Sequence, residues 1–148
     1  MRYTLDAPYT DAQIGKYLEN ILSNNRAGRQ RQQYEYKVTV DGRHVGFADF
    51  EIIRRMPRGG ISEIGYLLLP DEWHKGYASA ICKELIRICF DELKLHKVVA
   101  SCNEENTASS RVMEKCGMIR EGKLLNHRYK NGKFVHELKY GILNPVHF

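Results

Sequence analysis

Long hydrophobic runs are missing from this sequence. No stretch approaches the ~20 consecutive apolar residues that a helix needs to cross a bilayer, so the sequence argues against a helical membrane span. The opening residues Met1-Arg2-Tyr3-Thr4-Leu5-Asp6 lack the apolar core of a secretory signal, and a cytoplasmic location is the expectation. Cysteine is sparse: Cys82, Cys89, Cys102 and Cys116 form no C-x-x-C pair, and no histidine stands at zinc-finger spacing from them. They read as small apolar side chains in a reducing compartment, and no metal is expected. Neither G-x-G-x-x-G nor G-x-x-x-x-G-K-[S/T] occurs, which argues against the Rossmann and P-loop nucleotide folds. Repeats, low-complexity stretches and linkers are also absent, and residues 1–148 are expected to form one domain.

What is present is a globular balance. Hydrophobic residues make up 43% of the 148 and charged residues 28%, enough apolar content for one core and too much for a disordered chain. The net charge is +5, which favours anionic partners without naming them. Arg26, Arg29 and Arg31 form one basic group, and Arg54, Arg55 and Arg58 form another. A solvated basic surface, a polyphosphorylated cofactor and nucleic acid all fit that charge. Nucleic acid is disfavoured because no recognition motif or stacking-spaced aromatics accompany it.

The hydrophobic period changes along the chain. Ile14, Leu18, Ile21 and Leu22 predict a helix from Thr10 to Asn24. Alternation predicts a strand from Tyr34 to Val40, and Asp41-Gly42 predicts the hairpin turn into a second strand from Arg43 to Arg54. A third strand, Ile61 to Leu69, ends in an almost wholly apolar run, so burial on both faces is expected. Apolar residues at 78, 81, 82, 85, 86, 89, 90 and 93 predict a helix from Ala78 to Leu93. A short buried strand from His96 to Cys102 follows, and the β-α-β crossover predicts that it runs parallel to the third strand. Asn106 is placed to cap a helix from Thr107 to Cys116, with Gly117 at its end. Asn131-Gly132 predicts a final hairpin between Met118–Tyr129 and Lys133–Leu143. The fold class is α/β (α+β) with a mixed sheet.

The stretch from Glu63 to Ala80 reads as a buried strand, a tight loop containing Gly76, and a helix start. Residues 75 to 79 can turn successive backbone N–H groups into one space, where the helix N-terminus adds roughly half a positive charge. Gly76 allows close backbone approach, Ala78 leaves the next turn unobstructed, and Lys75 adds a cation at the rim. Such a loop binds phosphate.

The residues Trp73-His74-Lys75-Gly76-Tyr77-Ala78 resemble the signature [Q/R]-x-x-G-x-[G/A] of the GNAT superfamily of N-acetyltransferases, and especially its W-G-K-G-Y-A variant. Trp73 departs from the usual Gln or Arg, and His74 from Gly. Downstream, the residues from Asn106 to Met118 resemble N-x-x-S-x-R-V-x-E-K-x-G-F, with Met118 in place of Phe, and the residues from Tyr129 to Leu143 resemble the closing hairpin. Together these resemble the branch that contains the ribosomal-protein N-terminal acetyltransferases. That branch opens with a strand and a helix before the helix placed here at Thr10 to Asn24. Only Met1 to Pro8 precede it in this sequence, so the opening unit is read as shortened. Either the unit is missing or these few residues replace it poorly; a missing first strand is expected to leave the Tyr34–Val40 strand unpaired along one edge, with completion by a partner subunit or lower stability as the consequence.

The resemblance implies acetyl-coenzyme A as donor, a small amine or a protein N-terminus as acceptor, and direct attack with both bound. A homodimer is implied as well. It assigns the cofactor to Leu67, Leu68 and Leu69 of the strand, to His74, Lys75, Gly76, Tyr77, Ala78 and Ser79 of the loop, and to Asn106 and Arg111 of the later helix, with Lys115 beside Arg111 as a further phosphate contact, against the plainer reading of a solvated face for those two. Glu63 is the first candidate for the base, against the plainer reading of a surface carboxylate at a strand end. Glu137 and His127 are weaker candidates. Ser109 is the candidate acid where some relatives use a tyrosine, against the plainer reading of a serine supporting the helix's first turn. A catalytically silent acetyl-coenzyme A sensor or regulatory subunit is the alternative function.

Overall fold

The structure is a computed structural model that describes residues 3–6 and 32–146. The expected helix from Thr10 to Asn24 and the basic group Arg26, Arg29 and Arg31 lie outside the described residues.

Seven strands form one sheet: β1 (Tyr3–Asp6), β2 (Gln33–Val40), β3 (Arg43–Arg55), β4 (Gly60–Leu68), β5 (Lys97–Asn103), β6 (Ile119–Lys130) and β7 (Lys133–Leu143). Their order across the sheet is β1-β2-β3-β4-β5-β7-β6. Two α-helices are described, α1 (Tyr77–Arg87) and α2 (Thr107–Lys115). The β2–β3 hairpin turns on Asp41 and Gly42, both in the left-handed region at φ 50° and 81°, as the Asp-Gly pair requires.

The expected unpaired edge is corrected by β1. It pairs antiparallel with β2 from Tyr3↔Val40 to Asp6↔Lys37. Its four residues cover half of the β2 edge, because hydrogen bonding needs only extended backbone and no hydrophobic period.

Every neighbouring pair is antiparallel except β4 and β5, which run parallel as the crossover requires. That pairing covers only Ile61↔Lys97, Ser62↔Val98 and Glu63↔Val99. Beyond Glu63, β4 stays on β3 as far as Gly46↔Leu68, while β5 stays on β7 as far as Asn103↔Glu137. The sheet therefore opens into a gap between the far ends of β4 and β5.

The helix α1 buries Tyr77, Ile81, Cys82, Leu85 and Ile86 against the sheet. The expected single helix to Leu93 changes pitch after Arg87, and Ile88–Glu92 forms a π-helical turn closed by Leu93 N–H donating to Ile88 O at 3.1 Å. The wider turn lets Ile88, Cys89 and Phe90 all be buried in succession, which a regular 3.6-residue period cannot do on one face. Burial of the strand Ile61 to Leu69 is also one-sided at its end: Ile64 and Leu68 are buried, whereas Leu67 is 65% exposed and Leu69 39%. All four cysteines are free thiols, with only Cys116 less than fully buried.

Candidate active site

The loop after β4 is built from its own side chains. Pro70–Glu72 forms one 3-10 turn. The Trp73 indole N–H donates to the Leu68 carbonyl at 3.0 Å and so closes off the last polar group of β4. Glu72 is buried, and both of its oxygens accept from Arg43, the first residue of β3, at 2.9 and 3.0 Å. Lys75 Nζ donates to the same carboxylate at 3.1 Å. The Arg43 guanidinium, reinforced by Lys75 and opposed by burial, holds the Glu72 carboxyl below its ordinary value. Lys75 is thus a tether of the loop as well as a cation at its rim.

The chain then takes two left-handed steps, His74 at φ 63° and Gly76 at φ 80°. For histidine this conformation costs roughly 1–2 kcal/mol that glycine avoids, which is the physical meaning of the His74 departure. Gly76 is the N-cap of α1 and offers no side-chain acceptor. The first N–H groups of α1 therefore point outward without intrahelical partners, in a turn that contains no acidic residue. A Cβ at Gly76 would meet nothing within 4 Å. Donors, open approach and helix dipole together fit a pyrophosphate.

This loop forms one end of a cleft of about 400 Å³. Its walls are residues 66–68 of β4, residues 73–79, and Asn106, Ala108, Ser109 and Val112 of α2 and its cap. Leu67, Leu68, His74, Lys75, Gly76, Tyr77, Ala78, Ser79, Asn106 and Ser109 are thereby brought together. Leu69 and Arg111 are not among the lining residues. The Leu69 N–H donates to Val45 O at 2.9 Å, and Arg111 is exposed on α2. Asn106 caps α2 as its side chain predicts, with Oδ1 accepting from Ser109 N–H at 3.1 Å.

Glu63 lies elsewhere. It lines a second cavity, of about 320 Å³, with Asp49, Glu51, Ile64, Gly65, Ser101 and Arg128. Strand alternation sends the Ser62 and Tyr66 side chains to one face and Glu63 to the other: Ser62 meets Cys89 and Tyr66 lines the cleft, while Glu63 meets Ser101 Oγ at 3.4 Å in the other cavity. Burial first, and then the neighbouring Glu63 and Glu51 charges, push the Asp49 carboxyl above its ordinary value. Arg128 is already engaged, donating to Glu137 at 2.7 Å, Asn103 at 3.1 Å and Ser101 at 2.9 Å. Burial alone would raise the Glu137 carboxyl, but the Arg128 guanidinium and Lys139 hold it below its ordinary value. Glu137 thus serves as an anion in an ion pair and is poorly suited to accept a proton. His127 stays exposed, 3.9 Å from that same carboxylate.

Sequence reasoning missed Tyr66, Asp49, Glu51 and Arg128. Tyr66 lies inside the predicted strand Ile61 to Leu69, and its odd-even position relative to Ser62 was the available signal. Asp49 and Glu51 alternate with Ala48, Phe50 and Ile52, a pattern that marks an outward face without revealing what it faces. Among the described residues no group of three or more His, Cys, Asp or Glu is placed to hold a metal ion, and no helix is long and apolar enough to cross a membrane.

Comparison with known proteins agrees with this geometry. The acetyltransferase (GNAT) domain family matches residues 1–119. YnaD of Bacillus subtilis (strain 168), named an uncharacterized N-acetyltransferase, is 40% identical over 81 residues, which is 55% of this chain and 48% of that protein. The matched stretch is thus about half the length of that relative. The spermidine N(1)-acetyltransferase of Vibrio cholerae is 27% identical over 134 residues, 90% of this chain and 74% of that protein. A crystal structure of a GNAT-family acetyltransferase from Bacillus anthracis superposes with a TM-score of 0.63 at 34% identity, covering 74% of this chain and 66% of the other. With the splayed sheet and the left-handed loop leading into α1 both in place, this match identifies the chain as a member of the GNAT acetyltransferase family.

Proposed function

We propose that this chain transfers an acetyl group from acetyl-coenzyme A to a primary amine, with the donor in the cleft between β4 and α2 and the amine entering from the acidic cavity at Glu63. The observation that carries the reading is the break in β4–β5 pairing directly after Glu63↔Val99. It places the two cavities on neighbouring residues of one strand, 63–65 and 66–68.

When bound, acetyl-coenzyme A supplies an acyl group already activated as a thioester. The N–H groups of residues 77–79 and Lys75 bind its phosphates. Because Leu69 N–H is bonded to Val45 on β3, alternation turns the Leu68 and Tyr66 N–H groups toward the gap. Leu68 N–H then donates to the acyl oxygen, a type of contact worth about 3–4 kcal/mol at the transition state in enzymes generally. On the acceptor side Asp49, Glu51 and Glu63 attract an ammonium, and Glu63 or the upward-shifted Asp49 accepts a proton to leave the nitrogen neutral. Ser109, at the first turn of α2, meets the departing sulfur.

Three carboxylates around about 320 Å³ suit a small cationic amine better than an uncharged one. The Vibrio cholerae relative, a spermidine N(1)-acetyltransferase, supports that class. The test is calorimetric titration with acetyl-coenzyme A, followed by thiol release with spermidine and with an alanine-initiated peptide. Glu63→Gln should leave donor affinity unchanged and lower turnover about tenfold or more. Donor binding without thiol release for any amine would favour the silent sensor instead, and no donor binding would sink both.

A further inference from the structure

The Tyr66 hydroxyl is enclosed by protein and has no hydrogen-bond partner of acceptable geometry. Tyr66 nevertheless lines the donor cleft. A buried hydroxyl without a partner costs free energy that phenylalanine in the same space would not. Packing therefore does not explain the oxygen.

The phenol's surroundings narrow its use. Ser109 is the side chain near enough to act on it as a hydrogen-bonding group, and Cys82, Cys102 and Cys116 are the other titratable neighbours. Two of these thiols are otherwise occupied, Cys102 with Ser110 Oγ at 3.4 Å and Cys116 with Ser79 O at 3.5 Å. Ser109 itself is held by its backbone through the Asn106 cap, a bond that does not orient its hydroxyl. A freely rotating hydroxyl presents its hydrogen in several directions, and only one of them is useful to a leaving group.

We propose that Tyr66 is a positioning residue for acyl transfer: its phenol donates to Ser109 Oγ, so that the Ser109 O–H is turned toward the sulfur of the acetyl donor. The proposal rests on reading the cleft as the donor site. As the new C–N bond forms and the C–S bond breaks, the C–S electron pair passes to sulfur, where Ser109 O–H stabilises it as thiolate. The proton lost from the acceptor nitrogen goes to the carboxylates of the other cavity and then to solvent, which returns one to the thiolate. Neither Tyr66 nor Ser109 changes its protonation. Burial, partly offset by Ser109, pushes the Tyr66 phenol up to about 12, which keeps it a donor at neutral pH.

The experiment uses the full chain with reduced coenzyme A, and so does not depend on knowing the acceptor. The bound thiol is titrated by its ultraviolet thiolate absorbance, with desulfo-coenzyme A complexes subtracting the protein's own thiols. Tyr66→Phe should raise the bound thiol's pKa by about one unit, a tenfold change in thiolate stability. It should leave coenzyme A affinity below the thiol's titration unchanged. Ser109→Ala should raise the pKa at least as much, and Tyr66→Phe should add nothing in that background. A Tyr66→Phe pKa equal to wild type, beside a raised Ser109→Ala value, would overturn the Tyr66 role and leave Ser109 standing. An equal Tyr66→Phe shift in both backgrounds would overturn action through Ser109. No shift in either variant would remove Ser109 from the leaving-group site, and no coenzyme A binding by the wild type would remove the donor site itself. Tyr66→Phe keeps the ring and removes one buried hydroxyl with its bond to Ser109, so a melting temperature within about 3 °C of the wild type guards against misfolding as the cause.

Discussion

Gly46 of β3 pairs with Leu68 at the end of β4. A Cβ built on it would lie 2.1 Å from the Leu67 carbonyl oxygen, 3.0 Å from Leu68 Cα and 3.1 Å from Leu67 C. All three are backbone atoms of the strand that edges the proposed donor cleft, so no side-chain rotation relieves the contact. Bringing the oxygen out to a tolerable separation of about 3 Å requires β4 to retreat by roughly 1 Å. Overpacking of this kind costs about 1–3 kcal/mol, and the rigid neighbour places Gly46→Ala at the upper end. For a chain of this size each kcal/mol lowers the melting temperature by about 3 °C, so a loss of roughly 6–9 °C is expected. The same displacement moves the Leu68 N–H that faces the gap, so acetyl-coenzyme A affinity should fall severalfold. Gly42→Ala is the control. Gly42 has φ 81°, but its Cβ would meet nothing within 4 Å. It should cost only the left-handed conformational penalty of about 1–2 kcal/mol and leave the donor affinity intact. Differential scanning fluorimetry and calorimetric titration of both variants decide the matter. If Gly46→Ala melts no lower than Gly42→Ala and binds donor as well as the wild type, the close approach of the strands does not shape the site.

Two further expectations concern the loop and α2. The Glu72 carboxyl titrates below its unfolded value because of Arg43 and Lys75, so its contribution to stability is present above about pH 4.5 and is lost as pH falls through the folded value. Melting temperatures measured from pH 6 down to about pH 3 should therefore fall more steeply for the wild type than for Glu72→Gln, and parallel curves would contradict the anchoring role. Asn106→Ala removes the cap on Ser109 N–H and should cost about 1 kcal/mol, or about 3 °C in melting temperature. A variant that melts like the wild type would show that solvent replaces the cap.

The parts of this molecule legible in its sequence are those set by neighbours within a few residues. The Asp41-Gly42 turn, the apolar face of α1, the Asn106 cap and the glycine-containing loop into α1 each follow from local chemistry, and the loop's resemblance to GNAT proteins pointed to the family. The parallel β4–β5 pair followed from the helical crossover that joins the two strands. What escaped depends on topology. Arg43 and Glu72 are 29 residues apart and meet only because β3 lies beside β4. Tyr3–Asp6 carries no strand pattern strong enough to declare itself, yet a waiting edge recruits it. Leu67 was expected to be buried because its neighbours are apolar, whereas the opening of the sheet leaves it on the cleft wall. Asp49 and Glu51 could be seen to face outward, but only register places them against Gly65 and Glu63.

Three residue pairs join the two halves of the sheet across β4 and β5, and this thin seam has a thermodynamic consequence. A ligand that hydrogen-bonds to the free edge of β4 while touching α2 acts as an additional rung between the halves. Its binding free energy then counts toward holding the domain together, so saturating ligand raises the melting temperature by mass action. A substitution that loosens the seam, even one far from every ligand atom, will be read in a binding assay as weakened affinity and in a melting assay as weakened fold. Ligand-dependent melting is therefore the more informative screen for variants of this chain, because it reports both losses on one scale.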